Sequence, residues 1–366
     1  MSSPRILRYY PTVRTAHLER LALFAPGVLV YSRNRADFDL GAAPPKTPVR
    51  RMGAARLLLH LARTRYAIVE LPEPMVVRVW PQLLGIVTWI RLLDAVRRHR
   101  TELVTYCIEN YPVDLKLAEY ARAPVGVARW VARHVVGTLV GRCSRIVFGT
   151  DGAEANYREL VSPRVWRRTR TRLIEALPAP ALHEEVAKQG VVFLGTFEHR
   201  KGIDVVLECW PAVHAATGAH LTIVGKGPLE GVVREALDDT VTLALDPPRD
   251  EIWRVLSASR VLILPSQPAR GWKEQVGLPI VEALSMGCEI VTSDETGIAG
   301  WLAAHGHAVL SPTADPSEWA EAVVTALSRP DRTPAILGSL PAMDGRVAAD
   351  RALMVPEREG HDATPL

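Results

Sequence analysis

Residues 261–293 read VLILPSQPARGWKEQVGLPIVEALSMGCEIVTS. The apolar run Val261–Leu264 stops at Pro265-Ser266. A polar loop follows, then a helical stretch at Ile280–Ser285 ended by Gly287, then a second apolar run at Glu289–Ser293. Short, non-alternating apolar runs joined by a helix-length crossover predict parallel strands covered on both faces. The same unit recurs on the N-terminal side. Val191–Leu194 ends at Gly195 and leads to a helix over Ile203–Ala216. Leu221–Val224 is closed by Gly225-Lys226-Gly227-Pro228 and followed by a helix through Leu237. Val241–Leu245 is a third run, and Asp250 is placed to cap a helix reaching about Ser257. Ser317–Leu327 supplies a final helix. The alternation is that of an α/β sheet with right-handed crossovers.

The first half carries fewer signals. Tyr66–Leu71, Glu102–Ile108, Arg145–Gly149 and Arg172–Ala176 are candidate strands, and helices are expected around Met52–Arg63, Leu83–Arg98 and Val125–Val140. Asp151 with Glu154 forms a capping pair for a helix through Leu160. A chain of 366 residues exceeds one ordinary core, so two domains are expected. Charge changes sign along it. Residues 1–182 hold 29 Lys+Arg against 14 Asp+Glu, and residues 183–366 hold 15 against 26. With the Pro178-Ala179-Pro180 linker, this sets an N-terminal domain at 1–182, a C-terminal domain at 183–329 and a tail at 330–366. The tail is expected to start by packing back on the first domain and to end in disorder. Four scattered cysteines read as buried thiols. The N-terminus lacks a signal pattern, and the apolar run Trp80 to Ile90 is too short to span a bilayer, so a cytoplasmic protein is expected.

Three loops, each following a strand of the second half, carry the chemistry. Ligands of open α/β sheets sit at the carboxyl ends of strands, so such loops converge. Arg200-Lys201, ahead of a helix start, suits a diphosphate. Gly225 and Gly227 permit close approach of a ligand or of another backbone, while Glu230 stands where the dinucleotide fingerprint needs its third glycine. Glu274 and Glu282 flank Val276, Gly277 and Leu278, which offer backbone N–H groups before a helix. A carboxylate accepts two hydrogen bonds at once and suits paired sugar hydroxyls.

In order and spacing, these loops resemble the donor-binding domain of retaining GT-B glycosyltransferases of the family-4 type, over about residues 191–327. The matching elements are Lys201-Gly202, Gly225 to Pro228, Pro265-Ser266, Glu274, Gly277-Leu278-Pro279 and Glu282-Ala283. The resemblance implies two facing Rossmann-like domains with parallel sheets and helices on both faces. It implies transfer of a sugar from a UDP- or GDP-sugar donor with retention of configuration, no bound cofactor and no essential metal. By that similarity Lys201 contacts the diphosphate, Glu274 holds the sugar and stabilises the transition state, Val276, Gly277 and Leu278 contact sugar and phosphates, and Glu282 holds the ribose. Thr196 stands where the family has an arginine, with Arg200 as the candidate substitute. The reading requires the Arg200-Lys201 turn and both glutamates to line one cleft, and loses its basis if they lie on opposite faces or are buried in separate ion pairs.

The acceptor side is read from Glu109 and Asn110, after a first-half strand. Arg122, Arg129 and Arg133, read as one helix face, together with Arg63, Arg65, Arg97, Arg98 and Arg100, suit an anionic membrane surface. The expected acceptor is a glycan or a lipid-linked acceptor, reached by a cytoplasmic protein peripheral at the inner face of the plasma membrane. No nucleic-acid module is present. A catalytically silent glycosyltransferase-like subunit and a sugar-nucleotide epimerase of the same architecture are the competing readings.

Overall fold

The computed structural model describes residues 5–35, 38–45, 47–181 and 186–354. The chain forms two compact units, Met1–Glu175 with Arg346–Leu366, and Ala176–Gly345. The latter part of the tail, expected to be disordered, lies outside the described residues.

The first unit is built on a seven-stranded sheet. Its strands are β1 (Ile6–Val13), β2 (Val28–Asn34), β3 (Val49–Arg51), β4 (Ile68–Leu71), β5 (Glu102–Cys107), β6 (Arg145–Phe148) and β7 (Arg170–Leu173). Their order is β3-β2-β1-β4-β5-β6-β7, all parallel. One face is covered by helices that include Ala54–Arg63, Trp80–Arg97 and Val125–Val140, which bury Leu57, Leu61, Leu83, Ile86, Val87, Val136 and Leu139. A second cluster joins Ile6, Ile68, Val104 and Val147 of the sheet to Ala349, Leu353 and Met354 of the helix Gly345–Met354. The chain therefore ends its described course in the unit where it began.

The second unit holds β8 (Val191–Leu194), β9 (Leu221–Gly225), β10 (Val241–Leu245), β11 (Val261–Leu264), β12 (Glu289–Ser293) and β13 (Ala308–Leu310), again all parallel, in the order β10-β9-β8-β11-β12-β13. β8 and β11 are buried along their whole length, as their unbroken apolar runs require. Helices Ile203–Thr217 and Pro316–Ser328 close the core through Val206, Trp210, Trp319 and Val323.

Several local expectations are corrected. The helix Asp151–Leu160 is capped by Thr150, whose hydroxyl accepts from the Ala153 N–H, while Asp151 and Glu154 lie in its first turn. The helix Arg249–Ala258 starts after Pro248, so Asp250 lies inside it. The apolar run at Trp80 belongs to a longer segment, Val77–Arg97, which has the length and composition to cross a membrane. In this unit Trp80, Leu83, Ile86, Val87 and Ile90 of that segment are buried. Arg122 lies outside the helix Val125–Val140, at the left-handed end of Val113–Ala121, so it shares no helix with Arg129 and Arg133. Arg129 pairs with Glu159, and Arg97 donates to the Leu61 and Ala62 carbonyls, closing the helix before them. All four cysteines are buried free thiols.

Candidate functional site

Strand order in the second unit reverses direction between β8 and β11, since β9 and β10 lie on one side and β12 and β13 on the other. At such a switch point the loops leaving the two central strands diverge and open a crevice. The loop after β8 supplies Lys201 and the loop after β11 supplies Glu274. Their side chains form an ion pair across 73 residues of sequence, each only 11% exposed. Ser266 donates to the same Glu274 oxygen at 3.5 Å. The two loops are also joined through backbone, where Gln267 N donates to Arg200 O at 3.0 Å. Gly202 lies at φ +73, and a Cβ there would stand 2.0 Å from the Pro265 carbonyl, so no other residue lets these loops meet this way.

An aromatic ring completes the cationic turn. The Trp272 ring lies 4.6 Å from the Arg200 guanidinium and 5.1 Å from the Lys201 ammonium. Arg200 is held between that ring and Glu198. Sequence reasoning passed over Trp272, although an aromatic residue two positions before Glu274 in a polar loop was the available signal. Gly225 and Gly227 do allow a close approach, and the neighbour is the chain's own backbone. A Cβ at Gly225 would stand 1.9 Å from the Gly195 carbonyl, and one at Gly227 would stand 2.6 Å from Phe197 backbone atoms. These glycines seat the loop after β9 against the loop after β8.

Glu282 is held in a separate ion pair. It lies on the helix Leu278–Ser285, is 7% exposed, and meets Arg249 at 2.8 Å. Arg249 begins the helix that follows β10, so this pair too lies at the carboxyl edge of the sheet. The structure thus brings Lys201 and Glu274 into contact but holds Glu282 in a separate ion pair with Arg249, so the expected grouping is met by Lys201 and Glu274 and not by Glu282. Gly277 precedes the helix Leu278–Ser285. Pro279 in its first turn has no N–H, and Ile280 N and Val281 N donate to the Gly277 carbonyl at 2.9 and 3.2 Å, so the donors this turn can offer a ligand come from the loop end before Pro279. The loop is stapled from behind, Thr296 donating to Val276 O at 2.8 Å and Gly297 N to Gln275 O at 3.0 Å.

Residues 188–329 match the family model described as glycosyl transferases group 1. Over 143 residues the chain is 30% identical to the amylovoran biosynthesis glycosyltransferase AmsK of Erwinia amylovora. That alignment takes in 35% of this chain and 34% of AmsK, so the chain spans about a third of the relative it matches. The structure of Alr3699/HepE of Anabaena, in complex with UDP and glucose, superposes with a TM-score of 0.62 at 13% identity, covering 96% of this chain and 95% of that one. WaaG, a glycosyltransferase involved in lipopolysaccharide biosynthesis, superposes at 0.59 and 11% identity, covering 95% and 99%. The fold is GT-B.

Within the first of the two GT-B units the strand order reverses between β1 and β4. Glu73 follows β4 there. Its carboxyl group accepts from Ile108 N at 3.1 Å and Glu109 N at 3.0 Å, tying the loop after β5 in place. Glu109 and Asn110, the acceptor-side candidates, are both buried and engaged within the unit. Glu109 pairs with Lys116 at 2.9 Å, and Asn110 accepts from the Thr150 hydroxyl at 2.7 Å. Neither Glu73 nor Arg249 was legible beforehand, because their partners are remote in sequence.

Burial pushes the Glu73 carboxyl from its ordinary 4.5 up to about 8, outweighing the Glu109 and Ile108 N–H groups that favour the anion, and the Glu109 charge adds to the rise. The folded protein therefore keeps a proton that the unfolded chain releases near pH 4.5. The stability this contributes is complete below that pH and is lost as pH rises to about 8. Glu73→Gln has no such titration. Its stability relative to wild type is expected to improve between these limits, by at most about 1.4 kcal/mol per pH unit. Urea unfolding of both proteins at several pH values measures this, and parallel pH profiles would show that Glu73 does not carry the proton.

Proposed function

We propose that the chain is a glycosyltransferase that moves a sugar from a nucleoside-diphosphate sugar to a glycan or lipid-linked acceptor with retention of configuration. The observation that carries this reading is the contact between Lys201 and Glu274 at the β8/β11 switch point. One group suits the diphosphate and the other the sugar hydroxyls, and both stand where α/β sheets bind ligands. The family match over 188–329 supports the donor half of the reading. A UDP-sugar is the favoured donor, supported by UDP and UDP-glucose in the Alr3699/HepE structures, and a polysaccharide acceptor by the name of AmsK.

In this reading the acceptor hydroxyl attacks from the side on which the nucleotide leaves. Negative charge grows on the departing diphosphate. Lys201 neutralises it, assisted by Arg200, which stands in for the arginine absent at Thr196, and by backbone N–H groups of Val276, Gly277 and Leu278. Glu274 holds the sugar and Glu282 the ribose. Neither the silent-subunit nor the epimerase reading gains an observation from the relatives. A thermal-shift panel of UDP-, GDP- and ADP-sugars tests the proposal. One class at saturation is expected to add roughly 2–4 kcal/mol of stability. Indifference to all three would sink it.

A further inference from the structure

A carboxylate as enclosed as that of Glu282 needs a counter-charge, because burial without one costs several kcal/mol. Arg249 provides it from the start of the helix that follows β10, with Nη1 2.8 Å from Oε1. Arg249 is itself held from a second direction, its guanidinium 5.1 Å from the centre of the Trp253 ring one helical turn onward. The guanidinium is thus restrained by an ion pair with a buried carboxylate on one side and by the Trp253 ring on another. Whatever Glu282 binds, its carboxylate is presented in an orientation that Arg249 sets. A carboxylate has room for about four acceptor bonds, so the arginine and a pair of ligand hydroxyls can be accommodated together.

We infer that Arg249 is a positioning residue for the donor's ribose: it fixes the Glu282 carboxylate in the orientation that accepts the ribose hydroxyls. This rests on the reading of Glu282 as the ribose-holding group. The Arg249 side chain remains 36% exposed, so it also faces the solvent from which the nucleoside arrives. Its five N–H donors form a rigid fork, which lysine cannot reproduce.

Calorimetric titration with UDP, GDP and ADP, each beside its 2′-deoxy analogue, tests the inference on wild type, Arg249→Ala, Arg249→Lys, Glu282→Ala and Arg249→Ala/Glu282→Ala. For the nucleotide that binds, Arg249→Ala is expected to weaken the ribonucleotide about tenfold and the 2′-deoxy form much less, as befits loss of one charge-assisted contact. The preference for the ribo form therefore shrinks. Arg249→Lys restores part of it, and the double variant binds no worse than Glu282→Ala alone. Equal weakening of both forms by Arg249→Ala, or none, overturns the inference while leaving Glu282 in its role. Failure of wild type to distinguish ribo from 2′-deoxy forms, or to bind any of them, overturns the ribose reading of Glu282 and the inference with it.

Discussion

Lys201→Ala is expected to lower turnover with a nucleotide-sugar donor by on the order of a hundredfold, the effect of removing one charge-stabilising donor from a transition state. Glu274→Ala should be similarly severe. The structure adds a complication that the experiment has to separate. Each member of this pair is 11% exposed, and deleting one leaves the other buried without its partner. Such a deletion destabilises by about 3–5 kcal/mol in general. A slow Lys201→Ala enzyme could then be slow because it is partly unfolded. The double variant Lys201→Ala/Glu274→Ala resolves this, since it removes both charges together. Its melting temperature is expected to recover much of the loss while its turnover stays at least as low as that of either single variant. If turnover recovers along with stability, the pair serves the fold alone. Near-normal transfer by a well-folded Lys201→Ala enzyme removes Lys201 from the mechanism.

The same pair shows what was legible in the sequence. Strands β8 to β12 were readable because each is a short, largely apolar run closed by a loop; β8 and β11 are apolar and buried throughout, and the few polar residues of β9, β10 and β12 set up no alternating pattern. Lys201, Glu274 and Glu282 were readable because their identity as a set depends on local spacing. β1, β2 and β3 were not. β1 reads ILRYYPTV, with an arginine and a proline inside it, and β3 is an edge strand of one valine and two arginines. The arginine within β1 is buried because of partners elsewhere in the chain, which no local pattern reports. Arg249 and Glu73 escaped for the same reason. Their importance lies in carboxylates and N–H groups that the topology, and not the spacing, brings to them.

Arg8 of β1 leads to the second large effect, a loss of stability on Asp350→Ala. Asp350 is fully buried, accepts from Arg8 Nη2 at 2.6 Å and Nε at 3.1 Å, and accepts from Ala25 N at 2.8 Å. Arg8 is 1% exposed, and its other carboxylate, Glu70 at 3.4 Å, is shared with Arg346. The set balances two cations against two anions between the first strand and the last described helix, 342 residues apart. Removing Asp350 leaves a net positive charge out of water and an N–H without its acceptor. The expected cost is about 3–5 kcal/mol, read as a lower melting temperature or urea midpoint. Asp350→Asn should recover little, because it restores shape without charge. Arg8→Met/Asp350→Leu should recover much more, because a buried ion pair replaced by apolar groups of similar size is often neutral or stabilising. An Asp350→Ala protein within about 1 kcal/mol of wild type, the range of an exposed pair, would mean that water reaches Arg8 and that the helix is held without Asp350, by the apolar contacts of Ala349, Leu353 and Met354 and by the Arg346–Glu70 pair. The charge set matters to the fold because those apolar contacts are few, and because a helix returning from the end of the chain must find the right register on β1 and β4. Buried Arg8, paired with Asp350 of the helix, and part-buried Arg346, paired with Glu70 of β4, supply that register.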